Sequence, residues 1–331
     1  MDGDSGAWTA SPRSRRRPVP RADGMDERQA RRARLHKEAE RRWEKLGRER
    51  PELEDTIAFG RGLVARYIDD LPRAADVALT PEEARAKLAA GMPLLEDQDL
   101  GLDLPGIRRF FVGLCAWAGD AMARGEFAGD AGRLAEVIRE DESLVDDLVA
   151  ASLAGDERGI AEAAGQFGVA PVLLQSLTGF TVSAALMGTA RALAPLLEGV
   201  EWAQGICPVC GGPPLLAELT GSEGQRVLRC AACGAGWKSP RARCPHCGNE
   251  DQRTLHYLAV EGQAEKYRVD LCDRCHGYVK SATSFEPTPA ELLTIEDAAL
   301  LHLDALARER GYTATPEVAE VTDEAEASRH R

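Results

Sequence analysis

The chain has 331 residues, too many for one small domain, and 44% of them are hydrophobic, enough for two or three units with a sizeable core. Its formal net charge of −13 argues against a general nucleic-acid binder, whose phosphate contacts need clustered Lys and Arg. Aromatics make up only 5%, and Ala, Leu, Arg and Glu dominate the first two thirds, a composition that favours helices.

Residues 1–24 mix Gly, Ser, Pro and Arg without periodicity and read as a disordered tail. SRRRP is not followed by the apolar stretch that a secretory or twin-arginine signal needs, so a cytoplasmic protein is expected. From Met25 to about Arg50 the sequence is helix-forming but mostly charged, with Leu35, Trp43 and Leu46 as sparse apolar points. It reads as a solvated helix, with a basic partner-binding helix as the functional alternative. Helical periodicity continues through LEDTIAFGRGLVARYIDDL (53–71) and PEEARAKLAAGMPLLE (81–96), where Thr80, Pro81 and Glu83 form a helix-start signature. It resumes in GIRRFFVGLCAWAGDAMARG and in AGRLAEVIREDESLVDDLVAASLAG, with Cys115 expected as a small buried core residue.

Ala163 to Ala190 carries no charge, but Pro171, two glutamines, hydroxyl side chains and four glycines make it a buried helix pair rather than a lipid-facing span. One all-helical domain, 25–200, is therefore expected, without membrane insertion.

After Trp202, prolines, glycines and short alternating segments replace the helical period. Of the nine cysteines, eight fall into four C-x-x-C pairs: Cys207/Cys210, Cys230/Cys233, Cys244/Cys247 and Cys272/Cys275. Such clustering indicates metal rather than a disulfide framework. Between the first two knuckles, PLLAELTGSEGQRVLRC reads as strand, turn, strand; between the last two, RTLHYLAVEGQAEKYRVDLC repeats the plan. Pairing first with second and third with fourth closes each four-cysteine site with one hairpin, giving units at 201–243 and 244–285. Loss of Cys207 and Cys210 should then open the first unit and leave the helical domain intact.

Gly211, Gly234, Gly248 and Gly277 follow the knuckles and allow the tight bend that turns two thiolates onto one ion. Four thiolates fill a tetrahedral shell and leave no open position for substrate, so the protein is not expected to be a metal hydrolase. The set suits zinc or a single rubredoxin-type iron, hence two metal ions of either kind. His246 and His276 read as surface or supporting residues rather than ligands. A thioredoxin-like dithiol would show one motif near a βαβ pattern, and a DnaJ-type module would need C-x-x-C-x-G-x-G repeats. A nucleic-acid ribbon is disfavoured because residues 201–280 hold ten Lys/Arg against nine Asp/Glu before any thiolate is counted. TPAELLTIEDAALLHLDALARERGY then returns to a helix (286–312), with Leu300, Leu303 and Leu306 on one face and Gly311 as the stop, expected to dock on the body; an acidic tail (313–331) follows.

Together, KEAERRWEKLGRERPELEDTIAF, GMPLLE (91–96), CPVCGGPP, the run from Cys230 through Trp237 and Arg241 to Cys244, LHY (255–257), LCDRCHGYVK (271–280) and LARERGY resemble the formate dehydrogenase accessory (formation) protein family, FdhE. The resemblance covers about residues 35–312. It implies an α+β multidomain protein: an N-terminal all-α domain, two tandem rubredoxin-like (zinc-ribbon-like) four-cysteine units able to bind iron, and a C-terminal helix. It also implies a non-enzymatic maturation factor that contacts the formate dehydrogenase catalytic subunit in the cytoplasm before export by the twin-arginine route. The eight paired cysteines would be the metal ligands, while Trp237, Arg241, His256 and Tyr257 match family positions of unassigned role. Trp237 and Tyr257 are expected as core aromatics of the small units.

Overall fold

Helix α1 (Asp23–Glu49) is charged nearly all round, yet Leu35, Ala39, Trp43 and Leu46 recur at helical spacing and are buried. The expectation of a solvated helix is therefore corrected: a narrow apolar stripe docks it on α2 (Glu54–Asp69). The two backbones approach closely because α2 carries Gly60, where a Cβ would stand 2.4 Å from the Trp43 ring. The computed structural model describes residues 23–121, 127–262 and 264–316. The expected tails lie outside these residues except for Asp23 and Gly24, which begin α1, and residues 313–316.

Thr80 caps α3 (Pro81–Ala89) in a full capping box: its hydroxyl accepts from Glu83 N at 3.2 Å, and the Glu83 carboxylate accepts from Thr80 N at 2.8 Å. The helix ends well before residue 96, contrary to the periodicity, because Gly91 takes a left-handed φ of 74° and Pro93 follows. Helices α4 (Leu104–Ala121), α5 (Ala128–Glu140), α6 (Leu144–Leu153), α7 (Glu157–Phe167) and α8 (Pro171–Leu193) complete the domain. Helix α8 is long and apolar enough to cross a membrane by length and composition, but thirteen of its residues are buried, and it packs on α4, α6 and α7. Cys115 has no exposed surface, and burial pushes its thiol up to about 12.

Strands β1 (Pro214–Thr220) and β2 (Gln225–Cys230) form the first expected hairpin, and β4 (Leu255–Leu258) with β5 (Tyr267–Cys272) the second. Each gains a further antiparallel strand, β3 (Gly236–Lys238) on β2 and β6 (Gly277–Ser284) on β5. β1 and β6 then pair in parallel, Ala217 opposite Ser281 and Thr220 opposite Ser284, so the two units share one six-stranded sheet of order β3-β2-β1-β6-β5-β4.

The segment expected as one C-terminal helix is a 3-10 turn (Ala290–Leu292) followed by α9 (Leu293–Ala299) and α10 (Leu301–Arg308), broken at Leu300. The break lets it serve two cores. Leu292, Ile295 and Ala298 join the α1–α2 cluster, whereas Leu300, Leu303 and Ala307 pack under the sheet with Leu216, Val269 and Leu271. Buried charges fix both contacts. Lys280 on β6 holds Asp297 and, at 2.7 Å, Asp304; Glu291, 1% exposed, receives Arg31 at 2.9 Å and Arg191. Basic residues of α1 are thus engaged within the chain, by its own C-terminal segment.

Candidate metal centres

The four knuckles come together in the hairpin pairing: Cys207, Cys210, Cys230 and Cys233 form one group, and Cys244, Cys247, Cys272 and Cys275 the other, with all sulfurs of a group within 4.8 Å of one another. Backbone geometry brings them there. In the first three knuckles the N–H of a glycine just past the second cysteine returns to the first cysteine's carbonyl: Gly211 to Cys207 at 2.9 Å, Gly234 to Cys230 at 3.2 Å, Gly248 to Cys244 at 3.0 Å. All three glycines hold a φ between 68° and 76°, a conformation that a Cβ disfavours.

The fourth knuckle departs from the expectation. Here His276, not a glycine, holds the left-handed turn at φ 53°, and its carbonyl accepts from Thr313 N at 2.8 Å. Gly277 serves a different need: a Cβ there would lie 2.7 Å from the His246 ring, 2.8 Å from Pro316 and 3.1 Å from the Cys275 sulfur. Neither histidine belongs to a sulfur cluster; His246 Nε2 meets the Tyr278 carbonyl at 3.0 Å, and burial pushes its pKa down.

The sulfur geometry fits a tetrahedral ion. Closest Sγ–Sγ distances are 3.6 Å (Cys207 to Cys233) and 3.5 Å (Cys210 to Cys230) in the first site, and 3.7 Å for both Cys244 to Cys275 and Cys247 to Cys272 in the second. A tetrahedron with metal–sulfur bonds of about 2.3 Å has edges of about 3.8 Å. Crowding the sulfurs also makes more than one bare thiolate costly. Hydrogen bonds from Cys207, Cys210 and Cys233 pull Cys230 well below the usual thiol range, while Cys207 is pushed up chiefly by Cys210, and Cys233 chiefly by Cys207. Burial raises Cys244 to about 12. Burial also acts upward on Cys272, but the Cys275 N–H and the Asn249 amide outweigh it and bring that sulfur below its ordinary range. A divalent cation would remove this conflict for all four sulfurs at once. Either group could hold a metal ion; the donor set is equally compatible with zinc and iron.

The surroundings of the two sites differ. Three cysteines of the first site are buried and only Cys210 is partly open; the second leaves both Cys247 and Cys275 partly open. The first knuckle is also stitched to the helical domain: Leu94 N donates to Pro208 O at 2.9 Å and Leu95 N to Val209 O at 2.8 Å, which gives the GMPLLE segment its place. A buried pair supports the second knuckle. Glu218 accepts from Arg229 at 2.6 Å and from Thr288 N at 2.9 Å, while Arg229 also donates to the Gly234 carbonyl at 2.9 Å.

Trp237 is buried, not within a small unit but in the cluster that includes α4 and α8 residues. Tyr257 is 59% exposed, contrary to expectation, with the Arg268 guanidinium 5.4 Å from its ring. His256 pairs with Asp273 at 2.8 Å. Sequence reasoning missed Asn249, 5% exposed, whose amide lies 3.5 Å from the Cys272 sulfur and 2.8 Å from Thr254 Oγ1. Its position two residues after Cys247, in C-G-N, was the available signal. It also missed the Glu218–Arg229 pair, for which alternation along a strand gives no warning.

A helical domain carrying a double four-cysteine module on one sheet defines the class. Residues 242–317 match the family model described as "FdhE, C-terminal domain". Among similar proteins, "Protein FdhE homolog" of Aquifex aeolicus is 30% identical over 118 residues, 35% of this chain and 41% of that protein, and that of Shewanella baltica 35% identical over 114 residues, 34% and 37%. These alignments thus span about two fifths of the relatives' own length. The crystal structure of the FdhE protein from Pseudomonas aeruginosa superposes with a TM-score of 0.56 at 26% identity, covering 84% of this chain and 92% of that one. In its C-terminal region and in its fold, the chain is thus similar to FdhE proteins.

Proposed function

We propose that the protein is an accessory factor for formate dehydrogenase, which binds the immature catalytic subunit in the cytoplasm before export and supports its assembly. The eight paired cysteines hold two metal ions, iron or zinc, and the protein performs no turnover of its own. The observation that carries this reading is the pair of four-sulfur sites joined by one sheet and seated on a helical domain, in a chain similar over most of its length to a solved FdhE protein. A metal with four sulfur ligands has no open position for substrate, so its contribution is rigidity of the surface that surrounds it. Iron would add a one-electron couple.

Affinity capture of the metal-loaded chain from its native cytoplasm tests the reading. Recovery of a formate dehydrogenase large subunit, lost when the second site is removed by Cys244→Ser with Cys247→Ser, is the expected result. Recovery of nucleic acid instead, or equal recovery of the subunit without either site, would overturn it. Elemental analysis of anaerobically purified protein, together with its visible absorption, decides between iron and zinc.

A further inference from the structure

Between the second metal site and the β2 strand lies a cavity of ≈ 140 Å³ on which Arg226, Arg241, Arg243, Arg268, His246 and His256 converge. A water needs roughly 10–15 Å³ of such space, so an ion of four or five heavy atoms fits with a few waters. Arg226 decides what kind of ion. Its side chain is 2% exposed, and Nη1 is fixed by the carbonyls of Pro240 at 3.3 Å and Arg243 at 3.1 Å. Its Nε and Nη2 are buried without a hydrogen-bond partner among the described residues. A buried guanidinium with unmet donors is costly unless an acceptor of opposite charge meets it.

Among the described residues, no neighbouring carboxylate hydrogen-bonds these two nitrogens. Arg268 takes Asp270 at 2.9 Å, and Arg243 lies 3.8 Å from Glu250. Arg241, exposed at the rim, has no carboxylate within ion-pair distance among the described residues. Asp270 bears on Arg226 with opposite sign but is engaged by Arg268 and by Ser281 at 2.7 Å, while Arg268 and Arg241 bear on Arg226 with the same sign. Cys244 and Cys272 also line the cavity, and a Cys244 thiolate would offset part of this charge, but the unmet N–H groups of Arg226 still need acceptors.

We propose that this cavity binds a free small oxyanion, a carboxylate or a phosphate, held by the buried Arg226 and closed over by Arg241. Planar guanidinium groups recognise both anions through paired N–H···O bonds. The test uses the full chain loaded with zinc at both sites and calorimetric titration with inorganic phosphate and, separately, acetate, at low salt. Saturable binding of one anion per chain is expected, weakened about tenfold or more by Arg241→Gln and abolished by Arg226→Gln. Arg241 is exposed at the rim, so its variant should keep its zinc and its fold even where the Arg226 variant does not. Absence of saturable binding of either anion, or binding to Arg241→Gln as tight as to the parent, would overturn the site and leave the arginines as counter-charges to the thiolates.

Discussion

Gly234 and Gly262 share the same left-handed backbone, with φ 68° and 78°, but not the same surroundings. A Cβ on Gly262 meets open space, whereas one on Gly234 would lie 2.7 Å from Ala290 Cβ and 3.4 Å from the Leu293 side chain. Gly262→Ala should therefore cost only the conformational penalty, about 1 kcal/mol. Gly234→Ala adds the clash and should cost roughly 2–5 kcal/mol; equal unfolding midpoints for the two variants would contradict that knuckle's contact with the C-terminal turn. Asp103 offers a pH readout. The Arg73 guanidinium, then the N–H groups of Arg73 and Gly106, hold its carboxyl down at about 2, outweighing its burial. Because the folded pKa lies below the unfolded one, the stabilisation is complete above about pH 4 and fades as pH falls toward 2. The stability gap between the parent and Asp103→Ala, measured by denaturant unfolding, should shrink across that window. Residue roles that depend on local chemistry, such as the Thr80 cap and the glycines after three knuckles, were legible in the sequence. Tyr257 was not, because an aromatic in a strand reads alike whether its face is covered or open.

Glu291 couples three elements: α1 through Arg31, α8 through Arg191, and the 3-10 turn on which it sits. The partners are unequal, since Glu291 is 1% exposed while the two arginines are 40% and 46% exposed. Removing the arginines strands a buried carboxylate, whereas removing the carboxylate returns two cations to water. Arg31→Ala with Arg191→Ala should thus cost about 2 kcal/mol or more, and Glu291→Leu about 1 kcal/mol or less, in chemical denaturation; the reverse order would mean that the cluster is an exposed surface pair. The break at Leu300 was not legible, since no glycine or proline marks it: competition between two cores for successive faces of one helix imposes it. The same holds for the stop of α3, where the Gly91 signal was present but the periodic Leu94 and Leu95 outweighed it. Those two residues are apolar because they are buried or half-buried beside the first knuckle, not because they continue a helix.

Among the described residues, only the first metal site is built into a hydrophobic core. Cys207, Cys230 and Cys233 lie in one hydrophobic cluster with residues of α4, α6 and α8, whereas the core beneath the second unit is built from β5, β6 and α10. The sequence-based expectation that loss of the first site would spare the helical domain is therefore revised. Cys207→Ser with Cys210→Ser should raise amide exchange in α4 and α8, and Cys244→Ser with Cys247→Ser should leave those helices protected. Four knuckles and two hairpins were readable because each is closed within some thirty residues. The parallel β1–β6 pairing was not, since no turn joins those strands and no local pattern specifies their register. One further consequence concerns time. Helix α1 is translated long before its cover, α9, which begins 244 residues after α1 ends (293 minus 49). At roughly 5–20 residues per second, the stripe of Leu35, Ala39, Trp43 and Leu46 stays partly bare for about 10–50 s on every nascent chain. Until α9 follows, only α2 can shield that stripe.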